Sequence, residues 1–193
     1  MKYEIYTFIR NDYYISHYIY KNSTLFYIMI YNIIVAACNN NGIGINNTIP
    51  WYSLEDMRHF SYMTKGGGNN AVVMGHNTWQ SIPDNKKPLA NRENIIISKN
   101  RSLVINGCTV KHSISDVINH LNESTCDVCW IIGGQSIYEQ FLNTGLISTI
   151  IITRIKEEHD CTVHFPEIPP RFELTSTKKL GGTPHFIEYY VYF

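Results

Sequence analysis

The stretch IPWYSLEDMRHF, residues 49–60, sets one carboxylate, Asp56, among apolar side chains at the start of a helical pattern. Phe60 follows one turn later on the same face, Met57 stands beside it, and Ile49 and Trp51 lie on the approach. A carboxylate walled by such groups suits a flat, cationic or protonatable heterocycle. Partial desolvation there raises its pKa above the ordinary value of about 3.9, which suits proton exchange near neutral pH. The same residues have a purely structural reading. SLED has the form of a capping box, with Ser53 as N-cap and Asp56 at the third helical position, where the helix dipole favours a negative charge.

Three further stretches share a theme: NNGIGINN, MGHNTWQSI (74–82) and IIGGQSIYEQF (131–141). Each places small residues between an apolar strand and a helix start, where backbone N–H groups can bind phosphate or a carbonyl. None is a G-x-G-x-x-G fingerprint, and Gly133–Gly134 alone also reads as an ordinary tight turn. Together, at the ends of strands of one sheet, they suggest a dinucleotide laid across strand ends.

These residues must be positioned by an α/β scaffold, because short β-rich runs alternate with helical patterns. A strand is expected at about 31–38, a helix from Ser53 to about Thr64, and a strand over 71–75. A short helix from Thr78 to Ser81, a strand over 94–98 and a helix opened by Ser113 follow. VCWIIGGQSIYEQFL reads as strand, turn and helix, TIIITRI as a strand, and FELTSTKKL with HFIEYYVYF as an antiparallel hairpin at one edge. The expected architecture is a three-layer fold: a mixed, mostly parallel sheet of about eight strands flanked by about four helices.

The length of 193 residues fits one domain able to bury a sizeable core. Sixteen Lys plus Arg balance sixteen Asp plus Glu, so no nucleic-acid or anionic-membrane partner is expected. The five cysteines form no disulfide framework, which points to a reducing, cytoplasmic setting. Cys126 and Cys129 make a C-x-x-C without a second pair or a His-x-x-x-His run, so no metal is expected and Cys129 reads as a buried strand residue. Residues 1–31 hold eight of the fourteen tyrosines and show no helical period. The run LFYIMIYNIIVAAC (25–38) resembles a signal-peptide core, but Tyr and Asn interrupt it and it is too short to span a bilayer. We expect residues 1–28 to be an aromatic-rich extension, either poorly ordered or packed on the surface, with Met29 a candidate second start. Residues 29–193 would form the functional domain.

From about Tyr31 to Phe193 the chain resembles dihydrofolate reductase. The motifs are IIVAAC, GIGINNTIPW, LEDMRHF, VVMGHNTWQSIP, PLANRENIIIS, WIIGGQSIYEQF, TRI and HFPEIP, in the family's order and spacing. The resemblance implies NADPH-dependent reduction of 7,8-dihydrofolate, with hydride passing from nicotinamide C4 to pterin C6. Asp56 would bind the 2-amino group and N3 and favour protonation of N5 through water or the substrate's enol. Trp51 and Thr153 would complete the catalytic set, Thr153 by fixing Asp56 through its hydroxyl.

The resemblance further implies that Met57, Phe60, Ile82 and Leu89 wall the substrate, with Val35 and Tyr138 among its contacts. The carbonyls of Ile34 and Ile132 would accept from the 4-amino group of diaminopyrimidine antifolates. Arg92 would grip the α-carboxylate of the glutamate tail as a bidentate fork. For the cofactor, Ala36 would receive the carboxamide, and Ile43 to Thr48, including Gly44, with Ile49 would form a mobile loop over the ring. Asn77 and Thr78 would meet the pyrophosphate, as would Gly134, Gln135, Ser136 and Ile137; Gly75, His76 and Gly133 would be further cofactor contacts, with a cis bond at Gly133–Gly134. Ser98 and Lys99 match the contact to the adenosine 2′-phosphate.

Two positions depart from the family. His76 stands where Arg or Lys usually assists the 2′-phosphate, so that contact would weaken as pH rises, with Lys99 as compensation. Thr162 stands where an acidic residue often supports the mobile loop. A monomer is expected, with a functional link to thymidylate synthase. In some eukaryotic lineages the two enzymes share one chain, and the present sequence is compatible with being a piece of such a fusion. Two alternatives remain: the related riboflavin-pathway reductase, against which Asp56, Phe60 and Arg92 argue, and a non-catalytic folate- or nucleotide-binding module.

Overall fold

The structure is a computed structural model. It describes residues 29–193 in full and, before them, the backbone of three strands, β1 (Glu4–Arg10), β2 (Tyr13–Ile19) and β3 (Leu25–Phe26). These pair antiparallel in the order β1-β2-β3 as a sheet of their own. The other positions of the expected 1–28 extension, and the question of how it packs, lie outside the described residues.

The chain continues with β4 (Ile30–Cys38), β5 (Gly42–Gly44), α1 (Leu54–Lys65), β6 (Asn70–Gly75) and α2 (His76–Ser81). After a 3-10 turn at Asp84–Lys86 come β7 (Glu93–Ile97), β8 (Thr109–Lys111), α3 (Ile114–Asn122), β9 (Val128–Ile131) and α4 (Gln135–Leu142). The last strands are β10 (Ile147–Ile155), β11 (Val163–His164), β12 (Phe172–Lys179) and β13 (Phe186–Tyr192). Eight strands form one sheet in the order β12-β13-β10-β4-β9-β6-β7-β8. It is parallel from β10 to β8, and β12–β13 adds the expected antiparallel hairpin at one edge.

Both faces of the parallel strands are covered, so they read as continuous apolar runs and not as alternating ones. Ile33, Val35 and Ala37 of β4 join Val117 and Leu121 of α3 and Phe141 of α4 in one core. Ile34, with Val72 and Met74 of β6, joins Met63 of α1 and Trp79 of α2 in the other. Ser53 and Ser113 cap α1 and α3 as expected, each accepting a backbone N–H from the third helical residue.

Three features differ from the sequence expectation. α2 begins at His76, not Thr78, because Gly75 leaves the strand as its N-cap, so His76, Asn77 and Thr78 form its first turn. β8 extends the sheet beyond β7; its three half-buried residues are too few to show a strand period. β5 and β11 pair with each other, unexpected from sequence because Gly42 and Gly44 carry no apolar signal that would mark a strand. Among the described residues no helix is long and apolar enough to cross a membrane.

Candidate active site

β4 is buried along its length except at Ala36, which pairs in register with Thr153 of β10. This opening lies at the C-terminal ends of the parallel strands, where crossover connections leave a crevice in open α/β sheets. α1 lies against the same face as Ile34, and its first turn brings Asp56 to Thr153. The Asp56 carboxyl is held above the ordinary carboxylate range by burial, an effect opposed by hydrogen bonding from Thr153 and by the nearby His185 imidazole. Thr153 is only 1% exposed, so its hydroxyl is rigidly placed. The Asp56 main-chain N–H is spent on Ser53 Oγ at 3.2 Å. Cap and carboxylate therefore act through different atoms, and the structural and chemical readings of SLED hold together.

Phe60, Ile82, Leu89 and Ile132 are partly buried and pack against the core that contains Ile34. Met57 is 45% exposed and Ile49 is 61% exposed, unusual for such side chains. Val35 belongs to the opposite core, so its side chain faces away from this crevice and only its main chain remains toward it. The buried Tyr138 hydroxyl donates to the Ile34 carbonyl at 3.1 Å. Burial and the Asp56 charge raise its pKa far above the usual tyrosine value, which keeps it a donor. A carbonyl has two lone pairs, so Ile34 can accept one more hydrogen bond. The Trp51 ring lies 5.4 Å from that of His159, which turns the residues before α1 toward the segment leading into β11.

Arg92 is half-buried. Its Nη1 donates to Thr64 Oγ1 at 2.6 Å, its Nε to the Ala90 carbonyl at 3.1 Å, and its guanidinium lies 5.9 Å from the centre of the Phe60 ring. Thr64 is fully buried and donates to the Phe60 carbonyl, fixing the arginine to the last turn of α1. Asn94 clamps the preceding loop through Leu89 N–H, Leu89 carbonyl and Arg92 carbonyl, each at 2.9 Å. Sequence reasoning missed Thr64, Asn94 and His185. The available signal was a polar side chain inside an otherwise apolar strand or helix face, which must find a partner when buried.

The glycine-flanked turns meet across the sheet. Gly75 N–H donates to the Gly133 carbonyl at 2.8 Å, and a Cβ on Gly134 would lie 3.3 Å from Thr78 Oγ1. The Gly133–Gly134 peptide is cis, as the resemblance implied. The first turns of α2 and α4 thereby face one another, and neither N-cap, Gly75 or Gly134, supplies a side-chain capping bond. Uncapped N–H groups, a threonine hydroxyl and space kept clear by glycine fit a pyrophosphate. His76 is half-buried and Asn77 exposed, Ile137 is buried against Gly75, and the Ser136 hydroxyl accepts from Gln140. The Gln135 side chain links Glu139 to the His164 N–H. Ser98 is buried, accepts from the Asn100 N–H at 3.2 Å and follows β7, whose last residue pairs with Gly75; Lys99 beside it is exposed.

The segment that includes Ile43 and Gly44 is held by backbone bonds. Thr162 N–H donates to the Gly44 carbonyl at 3.0 Å and Phe165 N–H to the Asn41 carbonyl at 2.8 Å, so the departure at Thr162 leaves a main-chain tie in place.

The sequence model of the dihydrofolate reductase family matches residues 30–191. The chain is 34% identical over 157 residues to a dihydrofolate reductase of Aedes albopictus, covering 75% of this chain and 83% of that one. It is 34% identical over 161 residues to one of Heliothis virescens, covering 78% and 87%. With that of Gallus gallus it shares 35% over 147 residues, covering 71% and 78%. A crevice with one raised-pKa carboxylate beside a paired-helix cradle, and matches of this extent, lead to one conclusion: the chain belongs to the dihydrofolate reductase family, enzymes that reduce dihydrofolate with a nicotinamide cofactor.

Proposed function

We propose that residues 29–193 form the reductase domain and convert 7,8-dihydrofolate to 5,6,7,8-tetrahydrofolate with NADPH, Asp56 orienting the pterin and promoting protonation at N5. The observation that carries this reading is the half-buried Asp56 carboxyl, raised in pKa and held by Thr153 beside the one open position of β4. Bound NADPH supplies the hydride delivered to pterin C6. Asp56 binds the 2-amino group and N3, and its high proton affinity keeps a proton available at the ring. It lies on the far side of the ring from N5, so water or the enol tautomer carries that proton.

Phe60, Met57, Ile82 and Leu89 enclose the pterin and aminobenzoyl groups and exclude water. With Nη1 held by Thr64 and Nε by the Ala90 carbonyl, the remaining N–H groups of the two Nη atoms are left for the glutamate α-carboxylate, where a lysine would lack the fixed geometry. The uncapped turns at Gly75–Thr78 and Gly133–Ile137 hold the pyrophosphate, Ala36 the carboxamide, and the 43–49 loop covers the ring. Ser98 and Lys99 take the 2′-phosphate and favour NADPH over NADH; the Ser98 hydroxyl accepts locally and still has a proton to donate. Diaminopyrimidine antifolates donate from their 4-amino group to the carbonyls of Ile34 and Ile132.

The five free cysteines support a cytoplasmic location. The protein acts as a monomer, and the product serves one-carbon transfer and thymidylate synthesis. Measuring NADPH oxidation with dihydrofolate in the unmutated chain and in Asp56→Asn tests the reading. Activity is expected in the first and a loss of at least about 100-fold in the second. Equal rates, or none in the unmutated chain, would sink it.

A further inference from the structure

Two of the free cysteines are placed together where nothing in the reaction requires sulfur. Cys38 ends β4 and is fully buried, Cys161 precedes β11 and is half-exposed, and their sulfurs lie 3.9 Å apart. Gly42 fills the space beside them as bare backbone. A Cβ there would stand 2.5 Å from Cys161 Cβ and 2.9 Å from Cys38 Sγ. Asn40 joins the two segments: its Oδ1 accepts from Cys38 Sγ at 2.8 Å and from Gly42 N–H at 3.1 Å, while its Nδ2 donates to the His159 carbonyl at 3.3 Å. Around this point β5 pairs with β11, Gly44 with Val163 and Gly42 with His164.

We propose that Cys38 and Cys161 are a redox pair whose disulfide clamps the root of the 43–49 loop to the β11 segment and slows the loop's opening. The proposal rests on the reading of that loop as the cover of the cofactor site. The oxidant is a low-molecular-weight disulfide such as oxidised glutathione. The Cys161 thiolate attacks one of its sulfurs, forming a mixed disulfide and releasing one thiolate. Cys38 then attacks the Cys161 sulfur, releasing the second. In sum, two protein thiols are oxidised to one disulfide, and one small disulfide is reduced to two thiols. A bond of about 2.05 Å requires the sulfurs to approach by roughly 2 Å, within reach of side-chain rotation at the half-exposed Cys161. Burial beside Cys38 holds the Cys161 thiol above its usual pKa, so an excess of oxidant is needed.

The full chain is incubated with excess oxidised glutathione, then followed by peptide mass mapping, amide deuterium exchange over residues 42–48, and turnover. We expect a linked 38–161 peptide, slower exchange in the loop, and turnover lowered by at least about threefold and restored by dithiothreitol. Cys161→Ser keeps its turnover under the same treatment. Cys38→Ala gives the same protection from the other side, should the serine disturb the fold. Absence of the 38–161 peptide, or a linked protein with unchanged exchange or unchanged turnover, overturns the proposal. If the reduced protein itself lacks dihydrofolate reduction, the assigned function fails, and the linkage and exchange measurements decide the clamp alone.

Discussion

The crevice at Asp56 and the cradle at Gly75 and Gly133–Gly134 both sit at the C-terminal ends of parallel strands, yet they are built from opposite materials. The crevice works through side chains: a carboxylate, a buried threonine hydroxyl and a guanidinium anchored on Thr64. The cradle works through main chain and through missing side chains, with a carbonyl-to-amide bond of 2.8 Å between the two turns and almost no room for a Cβ. The difference follows from the ligands each is proposed to hold. A pterin edge has a fixed pattern of donors and acceptors that only particular side chains complement, whereas a pyrophosphate accepts any converging set of N–H groups.

The contrast predicts that chemical changes hurt the crevice most. Asp56→Asn keeps size and shape, and we expect kcat/KM for dihydrofolate to fall by about 10²–10⁴-fold. The same change should raise the melting temperature at neutral pH. Because the folded-state pKa of Asp56 is raised, the native protein holds more protons than the unfolded chain between the two pKa values, and stability declines as pH rises through that window. Asparagine removes this loss, so its advantage in melting temperature should shrink below the ordinary carboxylate range. A variant both inactive and less stable at neutral pH would mean that Asp56 is mainly a structural partner.

Arg92→Leu should raise KM for dihydrofolate by roughly 10- to 100-fold with kcat little changed, the value of a charge-assisted bond of about 1.5–3 kcal/mol. An unchanged KM would return Arg92 to a structural role on Thr64 and Phe60. In the cradle, Gly133→Ala should weaken NADPH binding by about tenfold or more. Gly133 has φ of 115°, and its Cβ would lie 3.1 Å from the Tyr138 hydroxyl. Equilibrium binding measured by fluorescence would check this.

Thr153→Val leaves Asp56 desolvated without its hydrogen bond. The pH midpoint of kcat/KM assigned to Asp56 should move upward and the rate fall by less than about tenfold. The smallest effect is expected at Asn77→Ala, below about twofold in NADPH affinity, because Asn77 is exposed and its proposed contribution is through the main chain. A large effect there would erase the distinction between the two regions.

Much of the fold is legible in the sequence. Ser53 and Ser113 announced their helices because an N-cap is local chemistry, read from four consecutive residues. The parallel strands announced themselves because burial on both faces demands uninterrupted apolar residues. β5, β8 and β11 were not legible, since two- or three-residue ladders depend on what lies across from them and carry no period of their own. The start of α2 shifted by two residues for a similar reason: Gly75 N–H is held by the Gly133 carbonyl, a partner far along the chain.

By itself the sequence determined the identity of the candidate site groups and the order in which they occur along the chain. Asp56 on a capped first turn, Arg92 after a turn and glycines between strand and helix are set by residue type and spacing. Only the tertiary structure decided that Thr153 would meet Asp56, that Thr64 and Asn94 would hold Arg92 and its loop, that the Val35 side chain would join the core opposite that of Ile34, and that Cys38 would lie against Cys161. These are contacts between residues up to 123 positions apart. They are fixed by the strand order β10-β4-β9-β6-β7, in which chain neighbours are separated and distant segments become adjacent. Local propensity carries no record of that order, because it results from burying both faces of one sheet under four helices.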